Sequence, residues 1–206
     1  MPITRPKEKK ERSLGVRLFL KANRCNSPKC VMVRRAYRPG IHGKKRRRNP
    51  SEYGQQLIEK QRIKTSYGLR EAQFAKIVHK AFSKGGNIGE TILNILERQL
   101  FNVVFRLGFA PSRFVARQLV GHGHFLVNGK KVFTPSYIVK VGDVVSIKPA
   151  SKQLLIFKDL PDNIKKYESP LWLTLDKEKI EGQIKYQPRD IKIDFDINLI
   201  IDYYSK

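Results

Sequence analysis

The chain has 206 residues, 42 of them Lys or Arg and 18 Asp or Glu, which leaves a formal charge of +24. With an isoelectric point near 10.2 and 40% hydrophobic residues, it reads as a folded basic chain whose self-repulsion calls for a polyanionic partner. An ordinary neutral enzyme is excluded as the default, as are a membrane span, for want of an apolar run near 20 residues, a secretory leader after Met1 and a disulfide scaffold, since Cys25 and Cys30 are the only cysteines.

Residues 1–50 hold 17 basic and 2 acidic residues. Few apolar positions recur there, and Gly15, Gly40, Gly43, Pro28 and Pro39 punctuate the segment, which predicts an extended arm over 1–48 that orders on its partner. Asn49-Pro50-Ser51-Glu52 predicts a helix start with Asn49 as cap and Pro50 in the first position, running to about Ser66. Phe74, Ile77, Val78, Ala81 and Phe82 follow a helical period that Gly85-Gly86 ends. Asn87-Ile88-Gly89-Glu90 opens a third helix that buries Ile92, Leu93, Leu96, Leu100, Val103, Val104 and Leu107 before Gly108. Pro111-Ser112 starts a short fourth helix to about Val120.

The period then changes to that of strands. His124–Val127 and Lys130–Phe133 flank Asn128-Gly129, a type I′ hairpin signal. Val144–Lys148 is a further strand. Residues 159–170, with Pro161 and Pro170, read as a connector. Trp172–Leu175 and Ile184–Tyr186 read as a strand pair, and Asp194–Tyr204 as a helix with Ile197, Ile200, Ile201 and Tyr204 on one face. Residues 51–158 carry 17 basic and 6 acidic residues, whereas residues 159–206 carry 8 basic and 10 acidic. The net-negative tail suits a protein partner better than a polyanion.

Arg113 and Arg117 are four apart on the short helix and share a face. They read either as a solvated basic face or as a phosphate site beside the helix start at Ser112. The hairpin residues Lys130 and Lys131 turn the reading towards RNA. Lys44-Lys45-Arg46-Arg47-Arg48 reads as a solvated tail, a localisation signal or a phosphate clamp, and the charge of its surroundings favours the clamp. Arg34, Arg35, Arg38, Arg62 and Lys64 complete the candidate RNA contacts. Cys25 and Cys30 supply half of a zinc set, so free thiols are the simpler reading and no cofactor is expected. His122 and His124 alternate on one strand face, as metal ligands or, preferably, as hydrogen-bonding residues at a turn. Phe19, Tyr37, Tyr53 and Tyr67 are candidates for base stacking, Tyr53 and Tyr67 equally for helix packing. No phosphate-binding loop or nucleophile elbow is present.

Several ordered motifs resemble one family. Ser112-Arg113, Ala116–Val120, Gly123, Val127-Asn128-Gly129, Pro135-Ser136 and Val141-Gly142-Asp143 resemble the small S4-type RNA-binding domain. Arg38-Pro39-Gly40-Ile41-His42-Gly43, Ser51–Leu57, Glu59-Lys60-Gln61, Tyr67-Gly68, Asn102–Phe109 and Trp172-Leu173 follow in the order of the bacterial or organellar small-subunit ribosomal protein uS4 family. The resemblance implies an α+β fold: a mainly helical lobe with a basic N-terminal arm, and an inserted S4-type domain of a helix pair and a small antiparallel sheet. The expected division is 1–48 as arm, 49–90 with 191–206 as helical lobe, and 91–190 as RNA-binding domain.

The resemblance further implies a non-enzymatic protein of a cytoplasmic or organellar ribosome, with neither a membrane nor a small-molecule substrate as partner. Its expected partners are 16S-type rRNA at a 5′-domain multi-helix junction, ribosomal protein uS5, and mRNA at the entry channel beside Lys44–Arg48. The chain departs from the family pattern in three places. Many relatives have Arg-Leu-Asp where this chain has Gln99-Leu100-Phe101. Zinc-binding relatives have four cysteines. Pro161 falls where relatives often continue a helix.

Overall fold

The computed structural model describes residues 6–45, 49–188, 191 and 195–205, the side chains of residues 22 and 23 excepted. In chain order the helices α1 (Lys7–Leu14), α2 (Ala22–Cys25), α3 (Val31–Arg34), α4 (Glu52–Ser66), α5 (Glu71–Lys84), α6 (Ile88–Glu97), α7 (Leu100–Arg106) and α8 (Arg113–Gly121) precede the strands β1 (Phe125–Val127), β2 (Lys130–Lys131) and β3 (Val144–Ile147). Then come α9 (Leu155–Lys158), α10 (Leu160–Lys165), β4 (Leu173–Asp176), β5 (Glu181–Ile184) and α11 (Ile197–Ser205). The α+β class expected from the sequence holds. Residues up to Ile92 together with α11 form one compact unit, and Leu93–Ile191 form the other.

In the first unit the predicted extended arm is instead a set of short helices, with α1 packed on α3 and α4. A buried carboxylate accounts for the difference. Glu11 is 2% exposed and accepts hydrogen bonds from the amides of Leu18 (3.1 Å) and Leu20 (3.2 Å). With these groups satisfied, Leu20, Cys25 and Cys30 can be buried despite the lack of apolar periodicity.

The α4 cap is Ser51, whose Oγ accepts from the amide of Gly54 at 3.2 Å, two residues after the expected Asn49. Helix α5 buries Phe74, Ile77, Val78 and Ala81 as the period requires, with Phe82 half-buried, and ends at Gly85 with φ 68°. Asn87 caps α6 by accepting from the Glu90 amide at 3.2 Å. Helix α11 packs along α4, with Ile200 fully buried. Asp196 caps its start by accepting from the Asn198 amide at 3.0 Å, while Asp194 lies outside the described residues.

A polar cluster ties α11 to α4 and α5. The Glu71 carboxylate accepts from Lys60 (2.9 Å), Lys64 (2.6 Å) and the Tyr204 hydroxyl (3.0 Å). The Lys60 ammonium also stands 4.0 Å from the Tyr203 ring centroid. Burial pushes the Glu71 carboxyl up, but the hydrogen bonds from Lys64, Lys60 and Tyr204 outweigh it and hold the group at about 2.

In the second unit the sheet order is β2-β1-β3-β5-β4, antiparallel throughout. The single predicted helix from Ile88 to Leu107 is two helices. The amides of Leu100 and Phe101 donate to the carbonyls of Tyr137 (2.8 Å) and Pro135 (3.2 Å), and the Val139 amide donates to the Arg98 carbonyl at 2.9 Å. Arg98 and Gln99 thus leave the helix, and the first amides of α7 pair with a distant loop, which side-chain periodicity cannot signal.

The hairpin turn is as predicted, with Asn128 at φ 50° and Gly129 at φ 76°. The predicted connector contains α10, with Pro161 in its first turn, where no helical N–H partner is lost. The last strand pair is Leu173–Asp176 with Glu181–Ile184, rather than a second strand at Ile184–Tyr186. The glycine of β5 has a packing reason: a Cβ on Gly182 would lie 2.4 Å from both methyls of the fully buried Leu107.

The Glu71 cluster generates a pH prediction. The depressed carboxyl contributes stability in full above its unfolded value of about 4.3, and that contribution shrinks as pH falls from there towards about 2. Since Glu71 is half-exposed, screening limits the contribution to about 1 kcal/mol. Thermal unfolding of Glu71→Gln should therefore start lower than wild type at pH 7, and the gap should close as pH falls from about 5 to about 2. A gap independent of pH would show that the ionised carboxylate is not what holds α11.

Candidate nucleic-acid interface

The two units each carry a basic surface. In the first unit, a groove of about 510 Å³ is lined by Lys9, Arg12, Arg34, Arg35, Pro39 and Glu8, among others. Arg34, Arg35 and Lys9 are exposed. Glu8 is occupied by Arg24 (2.9 Å) and Lys21 (3.8 Å). Arg12 acts as a brace. Its Nε donates to the Tyr37 carbonyl (2.9 Å), its Nη2 to the Arg38 carbonyl (3.2 Å), and its guanidinium lies 4.9 Å from the Tyr37 ring centroid.

That brace holds the Arg38–Gly43 motif. Gly40 has φ 104°. A Cβ on Gly43 would stand 1.9 Å from the Arg38 carbonyl oxygen, which no side chain tolerates. The tight turn leaves Arg38, Lys44 and Lys45 exposed, with Lys44 Nζ 5.5 Å from the Tyr37 ring centroid. Arg46, Arg47 and Arg48 lie outside the described residues.

The other candidates in this unit are engaged internally. Arg62 pairs with Glu59, and Lys64 with Glu71. Tyr67 is buried, and Tyr53 packs against Tyr203 with ring centroids 5.6 Å apart. Phe19 and Tyr37 remain exposed. Cys25 and Cys30 are buried free thiols, and burial pushes the Cys25 thiol up. Among the described residues no group of three or more His, Cys, Asp or Glu is placed to hold a metal, and no helix is long and apolar enough to cross a membrane.

In the second unit, Arg113 and Arg117 share a face of α8 above α7. Arg113 is turned inward. Its Nε donates to Asn102 Oδ1 at 2.7 Å, its Nη2 is 3.9 Å from Glu97 Oε1, and its guanidinium lies 4.9 Å from the Phe105 centroid. Glu97 is fully buried and also held by Arg106 at 2.9 and 3.0 Å and by Asn102 at 2.8 Å. The Asn102–Phe109 motif is thereby explained: Asn102 and Arg106 satisfy a buried carboxylate while Val103, Val104 and Leu107 fill the core. Sequence reasoning missed this use of Glu97, and its one available signal was an acid within an apolar helix. Arg117 is half-buried, 4.7 Å from the centroid of Phe101.

Lys130 and Lys131 lie exposed on the edge strand β2. Lysines there guard an edge against strand addition and also present charge to a polyanion. The turn that aims them is rigid: Asn128 accepts from the Val144 amide at 2.9 Å and donates to Asp143 at 2.8 Å. Lys131 lies 4.5 Å from the centroid of Phe133, a half-exposed ring that the sequence reading did not single out. His122 is exposed, and His124 bonds to Ser151 Oγ at 3.0 Å. Burial, then His122 and the nearby lysines, lowers the His124 pKa.

Residues 2–97 match the family described as the ribosomal protein S4/S9 N-terminal domain, and residues 98–145 match the S4 domain. The chain is 47% identical to the small ribosomal subunit protein uS4 of Syntrophomonas wolfei, 46% identical to that of Desulfitobacterium hafniense and 48% identical to that of Desulforapulum autotrophicum. Each match spans 93% of both chains.

The different placements of the cations predict different costs. Arg113→Ala should lower the unfolding free energy in urea by about 1–3 kcal/mol, because buried Glu97 and Asn102 lose a partner. A Lys130→Ala/Lys131→Ala double variant should stay within about 0.5 kcal/mol of wild type. A destabilised lysine variant would show that β2 needs these side chains for folding.

Proposed function

The chain belongs to the uS4 family of small-subunit ribosomal proteins, and we propose from that premise that it is a primary binder of 16S-type rRNA that nucleates assembly of the subunit. The family is one of structural, non-enzymatic rRNA-binding proteins of the small subunit. The finer reading is that this chain grips a multi-helix junction in the 5′ domain. Affinity comes from phosphate neutralisation with release of counterions, and selectivity from the shape of the junction. The observation that carries this is the division of labour among the cations. Arg34, Arg35, Lys130 and Lys131 are exposed and form no ion pair with a described residue, whereas Arg62, Lys64 and Arg113 are bound to internal carboxylates.

The reading assigns 1–48 to an RNA-binding arm, 49–90 with 191–206 to the helical lobe and 91–190 to the RNA-binding domain. Arg117, Lys130 and Lys131 contact phosphates in the last of these, and Arg34, Arg35 and Arg38 do so in the arm. Arg113 supports Arg117 through α7, and Arg62 and Lys64 approach RNA only at the edges of their ion pairs. The net-negative tail is the surface offered to ribosomal protein uS5, and Lys44–Arg48 line the mRNA entry channel.

Binding of the purified protein to a 5′-domain rRNA fragment should survive excess tRNA and plain duplex RNA. Log K should fall with log salt at about −0.9 for each phosphate contacted. Equal affinity for all three RNAs would reduce the interaction to bulk charge and remove the junction from the account. Neutralising Lys44–Arg48 to Gln should slow unwinding of structured mRNA on assembled ribosomes while leaving fragment affinity within about threefold. Normal unwinding with defective assembly would move the run from the channel to the rRNA.

A further inference from the structure

We propose that Phe133 is a stacking platform for an unpaired RNA base, with Lys130 and Lys131 holding the phosphates on either side of it. The inference rests on the reading of the chain as an rRNA binder and adds to it a defined subsite for one nucleotide.

The Phe133 ring is 55% exposed, in a unit whose other phenylalanines are buried (Phe101, Phe109, Phe125 and Phe157) or half-buried (Phe105 and Phe114). Nevertheless it is held in place. The backbone of Gly123, at φ 73°, forms its seat: a Cβ there would lie 2.6 Å from Phe133 Cε1 and 3.0 Å from Cδ1. The same Cβ would lie 2.5 Å from Lys131 Cε. Gly123 therefore admits the ring and the lysine stem together, and any side chain would displace both. The Lys131 ammonium is thereby kept 4.5 Å from the ring centroid. Exposed His122 precedes Gly123, and exposed Lys130 precedes Lys131 on the edge strand.

A ring already fixed at the surface loses little entropy when a base settles on it. Every base has a π face, so stacking accepts any base that is out of a helix and rejects paired ones, whose faces are occupied. The Lys131 ammonium at the ring and exposed Lys130 next to it in β2 match the backbone charge of such a nucleotide. An apolar protein partner would gain from the ring but would have to desolvate the Lys131 ammonium beside it, which favours RNA as the occupant.

The test uses the full chain and two hairpin RNAs, one carrying a single bulged adenosine and one fully paired, alongside the 5′-domain rRNA fragment. Wild type should prefer the bulged hairpin. Phe133→Leu, which keeps an apolar side chain without the ring, should weaken bulged-RNA binding by about five- to a hundredfold and leave paired-RNA binding unchanged. Phe133→Tyr should restore the preference, and replacing the bulged adenosine by an abasic unit should abolish it for wild type. A Phe133→Leu protein that matches wild type on both hairpins and on the fragment overturns the stacking role while leaving the ribosomal reading intact. An equal loss on bulged and paired RNA also overturns it, reducing the ring to a support for the lysines. Retained RNA affinity with lost incorporation into subunits would overturn it in favour of a protein partner. Wild type that binds none of the RNAs selectively would remove the ribosomal reading and the subsite together.

Discussion

A chain with 24 more positive than negative charges has few carboxylates with which to hold itself together, and where those carboxylates go decides what the cations can do. Residues 1–158 contain eight acids. Seven are engaged inside their own unit. Glu8 holds Arg24, Glu11 caps the Leu18–Leu20 turn, Glu52 meets Gln56, Glu59 meets Arg62, Glu71 gathers Lys60, Lys64 and Tyr204, Glu97 gathers Arg106, Arg113 and Asn102, and Asp143 fixes the hairpin turn. Acids committed in this way leave the exposed cations of each basic surface to an outside polyanion.

The same economy shapes the second unit. Glu97 is fully buried, where an unpaired charge would be costly, so the adjoining helices must supply donors around it. Asn102 and Arg106 from α7 and Arg113 from α8 do so. Fixing α8 on α7 in turn seats Arg117 over Phe101. The chain then passes through Gly123, whose missing side chain makes room for Phe133 and Lys131. Core packing, a buried carboxylate and a surface cation row are thus successive parts of one stretch of chain.

Much of this was legible in the sequence because local rules dominate there. The α5 stripe, its glycine stop, the Ser112 start and the Asn128-Gly129 turn all follow from side-chain period or from φ requirements of single residues. The misses share a different cause. The break at Arg98–Gln99, the register of β5 and the helical arm around Glu11 depend on partners that lie outside the local helical or strand period. Hydrogen bonds to the loop at 135–139, the Leu107 methyls beside Gly182 and a carboxylate bonded to two amides carry no periodic signal. At the candidate interface the residue types were readable but not their direction. Arg113 and Lys131 both read as cations near a turn, yet one faces a buried glutamate and the other lies at the surface over a ring. Phe133 was overlooked because exposure of a single ring within a short strand region has no sequence signature.

The central claim is that internal acids occupy one set of cations and leave another for rRNA. Amine-reactive labelling of lysines, read by mass spectrometry in the free protein and in assembled small subunits, tests it most directly. Lys60 and Lys64, held at Glu71, should react slowly in both states. Lys44, Lys45, Lys130 and Lys131 should react quickly in the free protein and become protected in the subunit. Lysines on β2 that stay equally reactive in both states would contradict the account, because the row it assigns to RNA would then face water.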